Sequence, residues 1–328
     1  MKIRFICSSL ENGGAERSLT LMANYWADQG EEVAITMLYR FAPTSPYYTL
    51  HPQISLTHLP FFERETGVVS STLHNIKGLA MLRRHLMADR PTVVICFLNW
   101  VSVCTLLSTI GLGIPTIISE RNNPRGQRAF LLLRILRHIT YHWCNRLVIL
   151  SDELKDFHSR EVQKKISVIP NMVIPTSPSL VARPDAILPN RRTLVAMGRL
   201  HYQKGFDLLL QAFNSIASKH PDWDLYIVGE GAQRSELESM VSNFGLSHRV
   251  YLPGFVDDVT PWLQHADLFV LSSRYEGFPR ALAEAMSAGL PVVSYACPSG
   301  PRDMIEHYKN GLLVEPLEAE SLGTALDE

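Results

Sequence analysis

The sequence of 328 residues predicts an α/β protein of two domains, each a doubly wound parallel sheet with helices on both faces. Short apolar runs alternate with longer amphipathic ones, and many short runs are almost continuously apolar, as expected of strands covered on both faces. The alternation stops once, in a proline-rich stretch from 170 to 192 that is typical of a linker, and then resumes. We therefore predict Rossmann-like domains over residues 1–180 and 181–328.

The individual elements follow from these runs in chain order. The predicted strands are 2–8, 33–38, 92–97, 115–119 and 146–150, then 193–197, 224–228, 249–252, 267–271, 291–294 and 312–314. The predicted helices are 14–29, 72–88, 126–143, 205–218, 232–244 and 279–288. Ligands of doubly wound sheets bind beyond the carboxyl ends of the strands, so the residues that follow each strand are the candidates for function.

The composition excludes several classes of protein. A hydrophobic share of 46% and a charged share of 19% describe a globular chain rather than a disordered, collagen-like or coiled-coil one. The cysteines are odd in number and lack CxxC spacing, which favours buried thiols in a reducing cytoplasm over disulfides or a zinc site. No run approaches about 18 uncharged apolar residues, so no membrane-spanning helix is expected.

The first candidate segment follows strand 2–8 and opens a helix. It contains Gly13 and Gly14, which allow close backbone approach, and the helix start offers free amide donors to an anion. A plain strand-to-helix turn explains the glycines equally well, because no GxGxxG or Walker A pattern accompanies them.

The second candidate segment follows strand 193–197. It carries Arg199 and Lys204, bracketed by Gly198 and Gly205. Two such cations suit two phosphate groups, because arginine can fork onto phosphate oxygens while lysine acts as a point charge. The alternative is a solvated loop with ordinary surface cations, which is weakened by their place at the ligand edge of an otherwise acidic half.

The third candidate segment follows strand 267–271. Pro279 fits the first helical turn, and the amides of Gly277 and Phe278 together with the helix dipole can hold a diphosphate. Glu284 lies more than one turn inside a helix of small and apolar residues, where sugar hydroxyls would give it a polar partner. A glutamate that points into water is the alternative.

These three segments, in this order and over nearly the whole chain, resemble the retaining glycosyltransferases of family 4, which have the GT-B fold. The sharpest match is the E-x7-E pattern from Glu276 to Glu284, within Glu-Gly-Phe-Pro, and the segments 198–205 and 310–314 match as well. The family usually continues past this last strand with helices that return to the first domain. The resemblance therefore implies that the second domain is shortened at its end.

The resemblance also implies a role for each candidate residue. These are diphosphate binding by Arg199 and Lys204, phosphate contacts from the amides of Gly277 and Phe278, ribose binding by Glu284, donor-sugar binding by Glu276, and closure of the cleft by Gly13 and Gly14. Of these we regard Glu276, Arg199 and Lys204 as catalytic, because cleavage of a sugar–diphosphate bond needs preorganised charges around the leaving group. Glu276 and Glu284 could instead be the carboxylate pair of a hydrolase, although their helical spacing and the surrounding cations favour ligand binding.

We expect a nucleotide sugar as the substrate and neither a cofactor nor a metal ion. The one DxD-like sequence, Asp222 to Asp224, lies where a strand begins, away from the ligand edge. No protein nucleophile is assigned.

Charge is distributed unevenly along the chain. Residues 1–185 carry 20 Lys and Arg against 14 Asp and Glu, net +6, whereas residues 186–328 carry 11 against 18, net −7. Residues 121–151 hold six arginines and no acid, interleaved with leucines and aromatics, which suits the surface of an anionic membrane. A helix that packs its leucines inward and solvates its arginines is the alternative. No nucleic-acid motif accompanies the patch, so nucleic acid is not an expected partner.

In the family, the first domain commonly binds the acceptor, often a polyprenyl-diphosphate-linked sugar. Glu120, Arg121 and Asn122 follow strand 115–119 and are the acceptor-side candidates. The expected function is transfer of a hexose or N-acetylhexosamine from a nucleotide diphosphate sugar to a lipid-linked glycan of cell-surface polysaccharide. A UDP-sugar is the favoured donor. The enzyme would act in the cytoplasm at the inner face of the membrane. The alternatives are a non-catalytic partner of another transferase and a GT-B sugar-nucleotide epimerase.

Overall fold

The computed structural model describes residues 1–39, 45–62, 70–121, 131–173 and 181–328. Contacts divide the chain into two compact units, Met1–Asn171 (unit 1) and Met172–Glu328 (unit 2). Each unit contains one parallel sheet, and each is described by itself.

Over the described residues of unit 1, seven parallel strands form a sheet in the order β3-β2-β1-β4-β5-β6-β7. They are β1 (Lys2–Cys7), β2 (Glu32–Tyr39), β3 (Ser55–Phe62), β4 (Val93–Phe97), β5 (Thr116–Ser119), β6 (Arg146–Ile149) and β7 (Ile166–Val168). The helices are α1 (Gly14–Asp28), α2 (Ser70–Asp89), α3 (Asn99–Thr109), α4 (Leu131–Thr140) and α5 (Arg160–Gln163). The strand order changes direction between β1 and β4, which is where sheets of this kind form a ligand crevice.

Over its described residues, unit 2 repeats this plan with six parallel strands in the order β10-β9-β8-β11-β12-β13. They are β8 (Arg192–Met197), β9 (Trp223–Val228), β10 (Val250–Gly254), β11 (Leu268–Leu271), β12 (Val292–Tyr295) and β13 (Leu312–Val314). The helices are α6 (Phe206–Ile216), α7 (Arg234–Asn243), α8 (Thr260–Gln264), α9 (Arg280–Ser287), α10 (Pro301–Met304) and α11 (Ala319–Asp327). Here the order changes direction between β8 and β11, so the loops that follow these two strands flank the crevice.

Both sheets are covered by apolar side chains on both faces, as the continuously apolar strands predict. On β1, Phe5 packs into one cluster beside Trp26, with ring centroids 5.7 Å apart, while its neighbour Ile6 packs into the opposite cluster. On β8, Val195 and Ala196 likewise enter two different clusters, and neither side chain is exposed. The cores therefore hold the strands rigidly, and the loops at their carboxyl ends start from fixed positions.

Each predicted strand is present to within a residue or two, but the predicted elements do not include the strands β3 and β7 or the helices α3, α5, α8, α10 and α11. Strand β3 lies at the sheet edge and contains Pro60, and β7 has three half-buried residues at the other edge, so neither has the apolar run of a central strand. Helix α3 is buried around most of its circumference, so its sequence lacks an amphipathic period. The helix predicted at 126–143 is observed as α4 followed by a 3₁₀ turn at Tyr141–Trp143, and 126–130 lies outside the described residues.

No helix in the described part of the chain is both long and apolar enough to cross a bilayer. All five cysteines are free and buried, as their apolar surroundings predict. Burial raises the pKa of the Cys96 thiol to about 12 and raises that of Cys104 as well, so these thiols are protonated near neutral pH.

Candidate active site

The loop after β8 is shaped by two glycines. Gly198 has φ +151°, and a Cβ at this position would lie 2.9 Å from Cε of Lys204. Gly205 has φ +63°, which favours glycine, and a Cβ there would lie 2.1 Å from the carbonyl oxygen of Ser272. The first glycine lets the lysine stem fold back over the strand end, and the second lets this loop press against the loop after β11.

Lys204 and Glu276 form an ion pair at the crevice of unit 2. The lysine Nζ lies 2.6 Å from Oε1 of Glu276, and the hydroxyl of Ser273 donates to the same oxygen at 2.6 Å. Glu276 is only 5% exposed. Its N–H donates to the carbonyl of Pro298 at 3.3 Å, and its carbonyl accepts from the hydroxyl of Ser299. The structure thus brings together two residues that lie 72 positions apart in the sequence and fixes the glutamate on three sides.

Helix α9 begins at Arg280, four residues after this glutamate. Pro279 is its N-cap, and the first helical bond there runs from the amide of Ala283 to the Pro279 carbonyl at 3.1 Å. Gly277 is buried and Phe278 half-buried, and their amides have no acceptor within the described residues. Free amides at the start of a helix favour an anion, so this turn is suited to a phosphate group.

The remaining donor-side candidates lie at the same edge of unit 2. Arg199 follows β8 by two residues and is exposed. Glu284 is half-buried in the second turn of α9. The loop after β12 packs against the α9 start, because a Cβ on Gly300 (φ +101°) would lie 2.3 Å from Cδ of Pro279.

In unit 1, the loop of Gly13 and Gly14 follows β1 at the corresponding position. A Cβ on Gly13 would lie 2.0 Å from Oε2 of Glu16, so the missing side chain makes room for that carboxylate. The hydroxyl of Tyr48 donates to Oδ1 of Asn12 at 2.9 Å and holds the loop from the side. Gly13 is the N-cap of α1 in extended geometry, and Gly14 is the first residue of this helix.

Glu120, expected on the acceptor side, is an internal residue of unit 1. Its side chain is 0% exposed, with Oε1 3.3 Å from Nη1 of Arg137 and Oε2 3.1 Å from Nε2 of His158. The Arg137 guanidinium also lies 5.6 Å from the ring centroid of Tyr141. Burial, with the negative charge of Glu120, raises the pKa of Tyr141 well above its ordinary value. A carboxylate enclosed in this way acts on its neighbours and does not itself present a surface to an acceptor.

Arg121 is also buried, at the carboxyl edge of β5. Its Nε donates to the hydroxyl of Ser119 at 2.7 Å, and its Nη1 donates to Oδ1 of Asn171 at 2.6 Å. The same amide oxygen accepts from Ser18 in the second turn of α1 at 3.0 Å. Arg121 therefore links the ends of β5 and β7 to the helix that follows β1, and Asn122 lies outside the described residues.

Sequence reasoning missed several residues that hold the candidates in place. Ser273 could have been found, because it is polar and lies two residues after β11 at the ligand edge. Ser299 could not, because its contact depends on a backbone with φ +59°. Arg137 and His158 are separated from Glu120 by helices and loops, and only the fold brings them to one carboxylate.

Two parallel sheets, with a lysine–glutamate pair beside a helix start at the carboxyl edge of the second, define a two-domain protein of the doubly wound α/β class with a site suited to an anion. Two known protein families match this chain, one in each half. The description "Glycosyltransferase Family 4" matches residues 12–176 and "Glycosyl transferases group 1" matches residues 182–328. The chain belongs to this glycosyltransferase family and is a glycosyltransferase.

The chain is similar to other proteins over nearly its whole length. A Campylobacter jejuni enzyme, named as a GalNAc-alpha-(1->4)-GalNAc-alpha-(1->3)-diNAcBac-PP-undecaprenol alpha-1,4-N-acetyl-D-galactosaminyltransferase, is 29% identical over 96% of this chain and 84% of its own. An uncharacterized glycosyltransferase of Haemophilus influenzae is 27% identical over 98% of this chain and 88% of its own.

Solved structures show the same fold. Anabaena HepE in complex with UDP and glucose superimposes with a TM-score of 0.81 at 19% identity, over 100% of this chain and 89% of its own. WaaG, a glycosyltransferase involved in lipopolysaccharide biosynthesis, gives 0.74 at 19% identity, over 99% and 89%. The fold is GT-B, as the sequence predicts.

Proposed function

We propose that this glycosyltransferase is a retaining enzyme that transfers a hexose or N-acetylhexosamine from a UDP-sugar to a polyprenyl-diphosphate-linked glycan. Its product would enter bacterial cell-surface polysaccharide. The observation that carries the donor half is the pairing of Lys204 with Glu276 next to the free amides of Gly277 and Phe278. The HepE complexes with UDP and the lipid-linked acceptor in the name of the Campylobacter relative support the two substrate classes.

The donor site of the proposal lies entirely in unit 2. Lys204 and Arg199 place positive charge beside the diphosphate, and the amides of Gly277 and Phe278 donate to its oxygens. Fixed charges and dipoles of this kind stabilise the leaving nucleotide as the sugar–phosphate bond breaks, without reorganising during the reaction. Lysine has three donors, so Lys204 can keep its bond to Glu276 and still contact a phosphate.

In the proposal, Glu276 binds the donor sugar and Glu284 binds the ribose. Both recorded side-chain bonds of Glu276 are made by Oε1, which leaves Oε2 to accept from a sugar hydroxyl. Glu284, in the second turn of α9, is assigned to the ribose hydroxyls. Same-face attack by the acceptor gives retention, and no protein nucleophile is part of the proposal.

Unit 1 is assigned to the acceptor, and the loop of Gly13 and Gly14 at the start of α1 is part of its proposed site. Arg121 provides the positive charge at the carboxyl edge of β5, and Asn122 is proposed beside it from the sequence alone. Glu120 contributes from inside, by holding Arg137 and His158 around the end of that strand.

Peripheral attachment to the inner face of the cytoplasmic membrane belongs to the same proposal. The outer face of α4 and the turn after it expose Ile135, Ile139 and Trp143, each 48% exposed, beside the exposed Arg134. Leu133 and Leu136 of the same helix pack inward. Apolar side chains next to a cation suit an anionic bilayer surface. Arg137 is not part of this face, because its guanidinium pairs with Glu120 and is only 17% exposed.

Vesicle binding tests the membrane assignment. The full chain should sediment with phosphatidylglycerol vesicles more than with phosphatidylcholine vesicles, and Ile135→Glu/Ile139→Glu should abolish the difference. Ile76→Glu alters another exposed isoleucine of unit 1 (59% exposed) and serves as the matched control. Equal sedimentation of all three proteins would refute the assignment.

Ligand stabilisation and transfer test the enzymatic proposal. In a thermal-shift screen of UDP-, GDP- and ADP-sugars, UDP-sugars should raise the melting temperature most, because a ligand bound only to the folded state stabilises it by mass action. Transfer to a polyprenyl-diphosphate-linked acceptor should be lost in Glu284→Ala, and NMR of the product should show retention of the anomeric configuration. Full transfer by Glu284→Ala would remove this residue from the site, and an inverted product would overturn the retaining assignment.

A further inference from the structure

A second ion pair joins the two loops that flank the crevice of unit 2. Arg274, in the loop after β11, donates from Nη1 to Oδ1 of Asp207 at 2.8 Å and from Nη2 to Oδ2 at 2.6 Å. Asp207 is in the first turn of α6, three residues after Lys204. The side chains are 18% and 21% exposed. A bidentate arginine–carboxylate pair that is mostly enclosed fixes both distance and angle between the elements that carry it.

The same arginine makes two further contacts with the loop after β8. Its Nη1 donates to the carbonyl of Tyr202 at 2.8 Å, and its guanidinium carbon lies 4.0 Å from the centroid of the Tyr202 ring. Its backbone N–H donates to the carbonyl of Gln203 at 2.8 Å. A cation over an aromatic face adds attraction beyond the hydrogen bonds. Arg274 thus contacts Tyr202 and Gln203 in the loop after β8 and Asp207 at the start of the helix that follows it.

Two side chains complete the connection. Gln203 donates from Nε2 to the carbonyl of Tyr275 at 3.0 Å, and the hydroxyl of Ser272 donates to the carbonyl of Lys204 at 2.8 Å. The first carbonyl belongs to Tyr275, the chain neighbour of Glu276, and the second belongs to Lys204 itself. The alignment of the two loops is therefore fixed at the position where Lys204 meets Glu276.

The two ion pairs have opposite polarity. In one, the loop after β8 supplies the cation (Lys204) and the loop after β11 the anion (Glu276). In the other, the start of α6, which follows the first loop directly, supplies the anion (Asp207), and the loop after β11 supplies the cation (Arg274). Sliding one loop along the other would bring like charges together, so the pairs define a single alignment. A donor diphosphate competes for the lysine charge, whereas Arg274 is already engaged by a carboxylate and a carbonyl.

We propose that Asp207 and Arg274 are positioning residues that align the loops after β8 and β11, so that Lys204 and Glu276 meet the donor in one geometry. The proposal rests on the proposed function for its kinetic consequence. Neither residue is assigned a contact with the substrate. Their pairing sets the separation of the two residues that make such contacts.

Two measurements test this proposal on the full chain. The first needs no ligand: hydrogen exchange of the segments 201–206 and 272–277 should speed up in Asp207→Asn and in the milder Arg274→Lys. The control is Arg191→Gln, which breaks a second bidentate pair of unit 2, to Asp224, at the opposite ends of the strands. Unchanged exchange of both segments in both test variants would overturn the proposal.

The second measurement is steady-state kinetics. Both test variants should raise the KM for the nucleotide sugar about tenfold or more, in line with loss of the charged hydrogen bond between a misaligned Lys204 and the donor, and leave the acceptor KM unchanged. A purely structural role would instead lower the apparent kcat through a smaller folded fraction, with both KM values unchanged, and would overturn the proposal. The double variant Asp207→Asn/Arg274→Lys should be no worse than the poorer single variant, because the residues act as a unit. Faster exchange of the two segments in a protein that transfers no sugar would uphold the alignment and reject the proposed function alone.

Discussion

The ammonium of Lys204 lies 2.6 Å from Oε1 of Glu276 and joins the loop after β8 to the loop after β11. These are the two loops on either side of the point where the strand order of unit 2 changes direction. The general rule for ligand sites in doubly wound sheets and the motif-based assignment of donor-binding residues therefore point to one position. The donor half of the proposed function depends on this agreement.

The glycine at the end of the Lys204 turn is a first test of the geometry. Gly205→Ala should destabilise the protein by about 2–3 kcal/mol, because alanine is strained at φ +63° and its Cβ would lie 2.1 Å from the Ser272 carbonyl oxygen. Gly245→Ala is the matched control, since Gly245 has φ +69° and nothing within 4 Å of the added Cβ. Its cost should be about 1–2 kcal/mol. If urea denaturation gives the two variants equal losses in the free energy of unfolding, the contact of position 205 with the loop after β11 is unimportant.

The enclosed carboxylate of Glu120 should matter for stability. Glu120→Ala leaves Arg137 and His158 without their partner in a mostly buried environment, and we expect a loss of about 3 kcal/mol in the free energy of unfolding. Glu306→Ala removes the exposed partner of Lys309 and should cost about 0.5 kcal/mol or less. Chemical denaturation of the two variants at neutral pH measures both values. A Glu120→Ala protein as stable as the parent would contradict the enclosed ion-pair arrangement.

The Asp207–Arg274 pair predicts a pH dependence. Burial acts to raise the pKa of Asp207, but the hydrogen bonds and charge of Arg274 outweigh it, so its pKa lies below the ordinary value of 3.8. A lowered pKa stabilises the folded state fully above the unfolded-state value and ceases to do so as the pH falls through the folded-state value. The difference in melting temperature between the parent and Asp207→Asn should therefore be constant from pH 7 to about pH 5 and shrink below about pH 4. A difference that grows on acidification would contradict this assignment.

The proposed donor site uses Lys204, Arg199 and backbone amides as its positive charges. Among the described residues, no cluster of three or more His, Cys, Asp or Glu could hold a metal ion. Because the lysine, the arginine and the amides neutralise the donor diphosphate in the proposal, transfer activity should persist after dialysis against EDTA and should not rise when Mg²⁺ or Mn²⁺ is added back. Loss of activity in EDTA with recovery on adding either ion would overturn the metal-independent assignment.

Much of this architecture follows from local sequence signals. The central strands are continuously apolar because both faces of each sheet are covered, and the helices between them carry an amphipathic period. The edge strand β3 and the buried helix α3 lack those signals, since the first has little core to cover and the second is apolar on nearly every side. Sequence patterns report burial, so they fail where burial is small or uniform.

The candidate site was accessible from the sequence only in part. Lys204, Glu276 and the α9 start are predicted from the sequence because they follow strands in a recognisable order. Their immediate partners depend on long-range contacts, such as the approach of Arg274 to Asp207 across 67 residues. Glu120 shows the converse limit: its place after β5 predicts an edge residue, whereas Arg137 and His158 enclose it. Position along a strand predicts the edge of a sheet but not the direction in which a side chain points.

Titration calorimetry of a UDP-sugar against the full chain tests the central claim most directly. The parent should bind the donor, and Lys204→Met should weaken binding about tenfold or more, because a charge-assisted contact with the diphosphate is lost while the apolar stem is kept. Lys219→Met removes another lysine of unit 2, which pairs with Asp327 on the surface, and should bind like the parent. Equal donor affinity in all three proteins would contradict the assignment of Lys204 and its partner Glu276 to the donor site.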